Sequence, residues 1–153
     1  MKHILIGAAM LLPYGNALAT EAQHIAPDEL RLAGISIGLP EREVVKLLGK
    51  PIARRNSGES VELRYKGMVV SVSAAVNDTS VFEISAFTPS ACTPAHVCPG
   101  MPVSALLSAY GPAVIAVRET GTFLEFTPHQ STCWLQVRER KGVIVSLRVA
   151  CQP

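Results

Sequence analysis

The sequence predicts an α+β protein made of two tandem repeats, each a short helical segment packed on a three-stranded (or larger) antiparallel sheet. Three observations predict it. A glycine- and proline-bounded helical phrase occurs twice, 62 positions apart. Each occurrence is followed by short runs rich in β-branched residues, separated by turn residues. The composition is that of a folded core: 153 residues, 48% hydrophobic, 17% charged and 5% aromatic, with a formal net charge of +2. That length suits one ordinary domain or two very small ones. The apolar fraction excludes a disordered chain, and the weak charge excludes a protein that grips nucleic acid through many phosphate contacts.

Residues 1–19 read as a secretory signal. Lys2 and His3 precede an uncharged run from Ile4 to Leu12, and Ala17-Leu18-Ala19 supplies the small-x-small cleavage pattern. The run is far shorter than the roughly 20 residues that cross a bilayer, so no stable membrane insertion is expected after cleavage. No Cys lies near the cleavage site, which speaks against a bacterial lipid anchor. The expected destination is the periplasm or the medium. Residues 20–34 read as a loose arm, or an extra helix over Asp28–Leu32.

Repeat 1 spans 35–87. Gly38-Leu39-Pro40 opens a helix in which Val44, Val45 and Leu48 form one apolar face, and Gly49 with Pro51 ends it. Proline suits the first turn, where its missing N–H would be unpaired anyway. Glu41 and Glu43 complement the helix dipole. Strands follow at Val61–Tyr65, Met68–Ala74 and Val81–Phe87, with turns at Asn56-Ser57-Gly58 and Asn77-Asp78. Residues 88–99 form a connector. Repeat 2 spans 100–153, where Gly100-Met101-Pro102, Leu106, Leu107, Tyr110, Gly111 and Pro112 restate the helical phrase. Its strands are Thr122–Phe126, Cys133–Arg138 and Val143–Val149, with turns at Glu119-Thr120-Gly121 and Lys141-Gly142.

Export makes two disulfides the default for Cys92, Cys98, Cys133 and Cys151, and four cysteines allow three pairings. Register selects among them. If Cys133 faces Cys151 across an antiparallel pair, Leu135 faces Val149 and Val137 faces Leu147, a wholly apolar face. The other face then pairs Trp134 with Ala150, Gln136 with Arg148 and Arg138 with Ser146. A slip of one residue would invert every side chain. This pairing needs an odd loop centred on Gly142 or a bulge there. Cys92–Cys98 follows by elimination. The rival reading is a metal site at Cys92, His96 and Cys98, but zinc sites take four ligands in paired short spacings. No metal and no cofactor are expected.

No catalytic constellation emerges. His24 lies in the arm, His96 between bridged cysteines and His129 in a polar turn beside Ser131 and Thr132, without a visible orienting group or oxyanion site. The reading is therefore a protein that is not an enzyme, with a small hydrolase using His129 ranked last. The outward sheet face is the stronger candidate. Phe123, Glu125, Trp134, Gln136, Arg138 and Arg148 share it with Ser146 in the second copy, and Glu62, Arg64, Ser71, Ser73, Glu83 and Ser85 in the first. Trp and Arg are over-represented among residues that carry binding energy. The competing reading has Trp134 packed against the neighbouring copy and the arginines as ordinary solvated surface.

A Gly-x-Pro helix ending in Leu-Gly-x-Pro and followed by antiparallel strands resembles the fold of beta-lactamase inhibitory proteins and of the small outer-membrane assembly lipoproteins of the SmpA/OmlA type. Gly38, Val44, Val45, Leu48, Gly49 and Pro51 carry the phrase, and Gly100, Leu106, Leu107, Tyr110 and Gly111 repeat it. The resemblance covers about residues 35–150 and implies a sheet face that grips a target protein. No functional residue of either group is carried over. The expected function is an exported non-enzymatic module that binds an unidentified protein partner and no nucleic acid, possible roles being inhibitor or immunity protein. The alternative is an envelope-assembly or structural accessory.

Overall fold

Pro40 and Pro102 each precede a helix of eight residues, and a glycine stops each one. The computed structural model describes residues 24–75 and 78–152, so the signal expected at 1–19 and Asn77 of the expected turn lie outside the described residues. The chain forms a 3-10 turn (Pro27–Glu29) and a small hairpin, β1 (Arg31–Leu32) and β2 (Ile35–Ser36). Helix α1 (Glu41–Leu48) comes next, then β3 (Ala53–Asn56), β4 (Ser60–Tyr65), β5 (Met68–Ser73) and β6 (Val81–Ala86). Helix α2 (Val103–Tyr110) precedes β7 (Val114–Arg118), β8 (Gly121–Phe126), β9 (Cys133–Arg140) and β10 (Val143–Cys151). The protein is mostly β, with a two-stranded sheet and an eight-stranded antiparallel sheet ordered β3-β4-β5-β6-β10-β9-β8-β7.

The prolines are helix caps in extended backbone (φ −62° and −68°) rather than first-turn residues. Gly49 and Gly111 close the helices at φ 81° and 77° with extended ψ, a conformation essentially restricted to glycine. The N–H of Gly38 donates to Val81 O, that of Val81 to Leu39 O, and that of Glu41 to Thr79 O. The N–H of Gly100 donates to Ile144 O, that of Ile144 to Met101 O, and that of Val103 to Gly142 O. These bonds fix the start of each helix against the last strand of its own half.

Alternation along the strands sends Val61, Leu63, Val70, Val72, Ile84, Leu135, Val137, Leu147 and Val149 to one side, where they meet Val44 of α1 and Leu106 and Tyr110 of α2. Leu107, by contrast, stays exposed. The β9–β10 register pairs Cys133 with Cys151, Leu135 with Val149 and Gln136 with Arg148. Lys141 and Gly142 both have positive φ (52° and 76°), which makes a tight two-residue turn. The register shift needed to reconcile that turn with the cysteine pairing falls between Ile144 and Ser146, a bulge at Val145 rather than at Gly142.

Each half carries four strands in the large sheet, as the expectation of three or more allows, with β3 and β7 at the two edges. Two expectations change. From residue 24 on, the segment before α1 is no loose arm and forms no helix over Asp28–Leu32: Ile25 and Leu30 are buried ahead of the β1–β2 hairpin, and Leu32 and Ile35 within it. Residues 88–99 are also more than a connector, since Ala91, Thr93 and Val97 are buried.

Tyr110 ties these pieces together. Its hydroxyl donates to Glu29 Oε2 (2.7 Å) and shares a hydrogen bond with Thr93 Oγ1 (2.6 Å). Burial pushes the phenol well above its ordinary range; the Thr93 bond opposes this, and Glu29 adds to it. An unfolded tyrosine ionises near pH 10 while the folded one keeps its proton. Stability is therefore intact below about pH 10 and falls as pH rises beyond it, by at most about 1.4 kcal/mol per pH unit from this group. Urea unfolding from pH 9 to 12 should show a shallower alkaline decline in Tyr110→Phe than in the wild type. Parallel declines would refute the assignment.

Candidate functional site

The face of the large sheet turned away from the helices is polar because the same alternation that buries aliphatics sends their neighbours outward. Gln136 lies between its register partners Glu125 on β8 and Arg148 on β10. Arg148 in turn faces Ser85 on β6, and Glu83 lies diagonally beside it. Side chains link across these strands. Arg118 grips Glu125 with Nη2 on Oε2 (2.7 Å) and Nε on Oε1 (3.1 Å). Gln136 Nε2 donates to Glu125 Oε1 at 2.7 Å. Arg148 donates through Nη1 to Gln136 Oε1 (3.3 Å) and through Nη2 to Glu83 Oε2 (2.6 Å). The relay Arg118–Glu125–Gln136–Arg148–Glu83 thus crosses five neighbouring strands. The hydrogen bonds to Glu125, and then the charge of Glu125, raise the already high pKa of Arg118.

Two aromatic–guanidinium contacts flank the relay. Arg138 lies over Phe123, 4.8 Å from the ring centroid, and Arg118 lies 5.9 Å from the Trp134 ring. Arg138 also donates to the carbonyl of Thr120, which draws the β7–β8 turn over the sheet. A hollow of about 330 Å³ opens there, lined by Arg118, Glu119, Thr120, Trp134, Gln136 and Arg148. Ser85, Phe87, Arg138 and Ser146 help to line a second hollow, of about 210 Å³, which shares Thr120, Gln136 and Arg148 with the first. The indole N–H of Trp134 is buried and meets no acceptor among the described residues.

All six residues singled out from sequence (Phe123, Glu125, Trp134, Gln136, Arg138 and Arg148) lie on this face. The expectation of a freely wetted surface needs correction. Phe123, Glu125 and Gln136 are 9%, 8% and 3% exposed, because long side chains from adjacent strands lie across them. Trp134 and Arg148 are half-buried, and Arg138 is exposed. The six residues therefore divide into a buried base (Phe123, Glu125 and Gln136) and a reachable rim (Trp134, Arg138 and Arg148).

The cysteines form Cys92–Cys98 and Cys133–Cys151. With both neighbouring sulfurs bonded, His96 has no thiolate partner for a metal, and no group of three or more potential ligands occurs among the described residues. The fold brings His24 and His129 together edge to face, with ring centroids 5.1 Å apart, and His24 Nδ1 lies 3.1 Å from Thr127 O.

No protein-family model matches the chain, and no curated protein does. Its likenesses are to solved structures. It is similar to an extracellular protein containing an SCP domain from Bacillus anthracis, with a TM-score of 0.51 and 9% identity over 97% of this chain and 50% of that one. It is also similar to a cysteine-rich secretory protein from Staphylococcus aureus, with a TM-score of 0.54 and 10% identity over 86% of this chain and 49% of that one. The chain spans about half the length of these two proteins. A DUF4309 family protein from Bacillus subtilis aligns at a TM-score of 0.48 and 12% identity, over 78% of this chain and 83% of that one. What the chain shares with the Bacillus anthracis and Staphylococcus aureus proteins is the fold.

Sequence reasoning missed Arg118 and the covering role of Thr120. The signal for Arg118 was present: Val114-Ile115-Ala116-Val117 is a β-branched run, and strand parity puts Arg118 on the face of Phe123 and Glu125. Thr120 acts through its main-chain carbonyl, so side-chain type carried no sign of it.

Proposed function

We propose that the chain is an exported, non-enzymatic binding module whose open sheet face docks another protein, an inhibitor or immunity-type role being the sharpest form of the reading. The observation that carries it is the relay from Arg118 to Glu83. Its charged groups are held in place by one another, so little side-chain freedom is lost when a partner covers them. Trp134 at its margin supplies the aromatic contact typical of interface anchors. The resemblance to beta-lactamase inhibitory proteins, which implies a gripping sheet face, favours the same surface. Two disulfides support an oxidising compartment. The neighbours described as extracellular and secretory agree with export.

We also infer that the two halves are copies of one unit. The helix-start bonds recur in each half, and the strand order runs outward in mirror fashion from the β6–β10 seam.

Affinity capture from the envelope and culture medium of the source cells tests the docking face. Wild type and Leu107→Ser, altered on the helix side, should retain the same partner. Trp134→Ala and Arg148→Ala should each lower its recovery at least tenfold. Equal recovery with all four baits, or no protein specific to the wild type, contradicts the proposal.

A further inference from the structure

Three guanidinium groups border the two hollows, and two of them are committed. Arg118 is paired with Glu125 and Arg148 with Glu83. Arg138 pairs with no carboxylate among the described residues. Its bond to the Thr120 carbonyl and its seat over Phe123 fix its orientation without neutralising its charge. This charge borders the 210 Å³ hollow, where Ser146 faces Arg138 across β9–β10 and Ser85 faces Arg148 across β6–β10. Two hydroxyl groups thus alternate with two guanidinium groups around one opening, and Phe87 and Phe123 supply apolar walls.

We propose that this hollow is a carboxylate subsite, which receives an Asp or Glu side chain presented by the docked protein. The inference rests on the docking reading of the same face. A guanidinium presents paired N–H donors that match a carboxylate, and the charge-assisted bonds are about twice as strong as neutral ones. The serine hydroxyls can donate to the remaining lone pairs. The volume lies below the roughly 300–1,000 Å³ usual for free small-molecule pockets. It suits a short acidic side chain delivered by a larger partner, and the phenyl walls suit the methylene groups behind the carboxylate.

The test begins with the protein alone. Arginine Nε–H resonances are followed while N-acetyl-aspartate N-methylamide, its neutral asparagine counterpart and inorganic phosphate are titrated separately. The Arg138 resonance should shift saturably with the aspartate compound, with a Kd on the order of 10 mM, and stay still with the asparagine compound. Arg138→Gln should weaken that binding at least tenfold, and Arg138→Lys should retain part of it; Arg138 is exposed, so both variants should fold. Equal response to the asparagine compound, tighter binding of phosphate, or undiminished binding in Arg138→Gln overturns the carboxylate assignment. Partner capture separates the two claims. A partner held equally by wild type and Arg138→Gln leaves the docking face intact and removes the subsite. Aspartate binding at Arg138 with no captured partner supports a carboxylate-binding hollow but removes a docked protein as the source of the carboxylate.

Discussion

Glu125→Ala should lower the unfolding free energy by about 3 kcal/mol. Glu125 accepts from Arg118 and from Gln136 in a site where Gln136 is 3% exposed. Alanine would leave the Gln136 amide N–H buried without its acceptor, a penalty of about 1–3 kcal/mol, and would also remove a hydrogen bond to a charged group worth about 1.5–3 kcal/mol. These two losses overlap, which puts the total near the lower end of their combined range of about 2.5–6 kcal/mol. Arg118→Ala should cost much less, since that side chain is half exposed and water can replace it at Glu125. Adding Gln136→Leu to Glu125→Ala should recover part of the loss, because the orphaned amide disappears with it. Urea unfolding of the three variants checks this. A loss under about 0.5 kcal/mol for Glu125→Ala would mean that the relay is not a structural unit.

The second large effect concerns the Cys133–Cys151 bond. It ties the start of β9 to the end of β10 across 18 residues, and β10 is the strand that joins the two halves of the sheet. Loop-closure entropy makes such a link worth about 3 kcal/mol. Cys133→Ser with Cys151→Ser should therefore lower Tm by about 10 °C for a domain of this size. The Cys92–Cys98 link closes a shorter loop, with a separation of six residues, and its removal should cost about 2 kcal/mol. Calorimetry of the two double variants gives both numbers. A smaller Tm drop for the Cys133/Cys151 variant than for the Cys92/Cys98 variant would contradict this ordering.

The Cys133–Cys151 pairing was legible because Leu135, Val137, Leu147 and Val149 share one parity, so a single register buries all four. Six of the eight strands in the large sheet were legible for the same reason. The edge strand β3 was not: Ala53-Arg54-Arg55-Asn56 is exposed at every position and has no alternation to read. In β7, Val114, Ile115 and Val117 are exposed on both faces of an edge, so hydrophobicity there no longer marks burial. Parity also tells which face a residue occupies without telling whether that face is covered. That is why Glu125 and Gln136 were expected in water and lie beneath Arg118 and Arg148 instead. The folding-in of Leu30 and Leu32 depends on the Ala33-Gly34 turn, whose positive φ values (50° and 80°) are a backbone choice that Ala33 does not advertise.

Site-specific photo-crosslinking in the source cells most directly tests whether the relay side of the large sheet is where another protein docks. A benzophenone side chain is placed at Thr120, on the turn bordering both hollows, or at Leu107, exposed on α2. The account predicts a discrete protein adduct from position 120 and none from position 107. An adduct from position 107 alone would move the docking surface to the helices and contradict it.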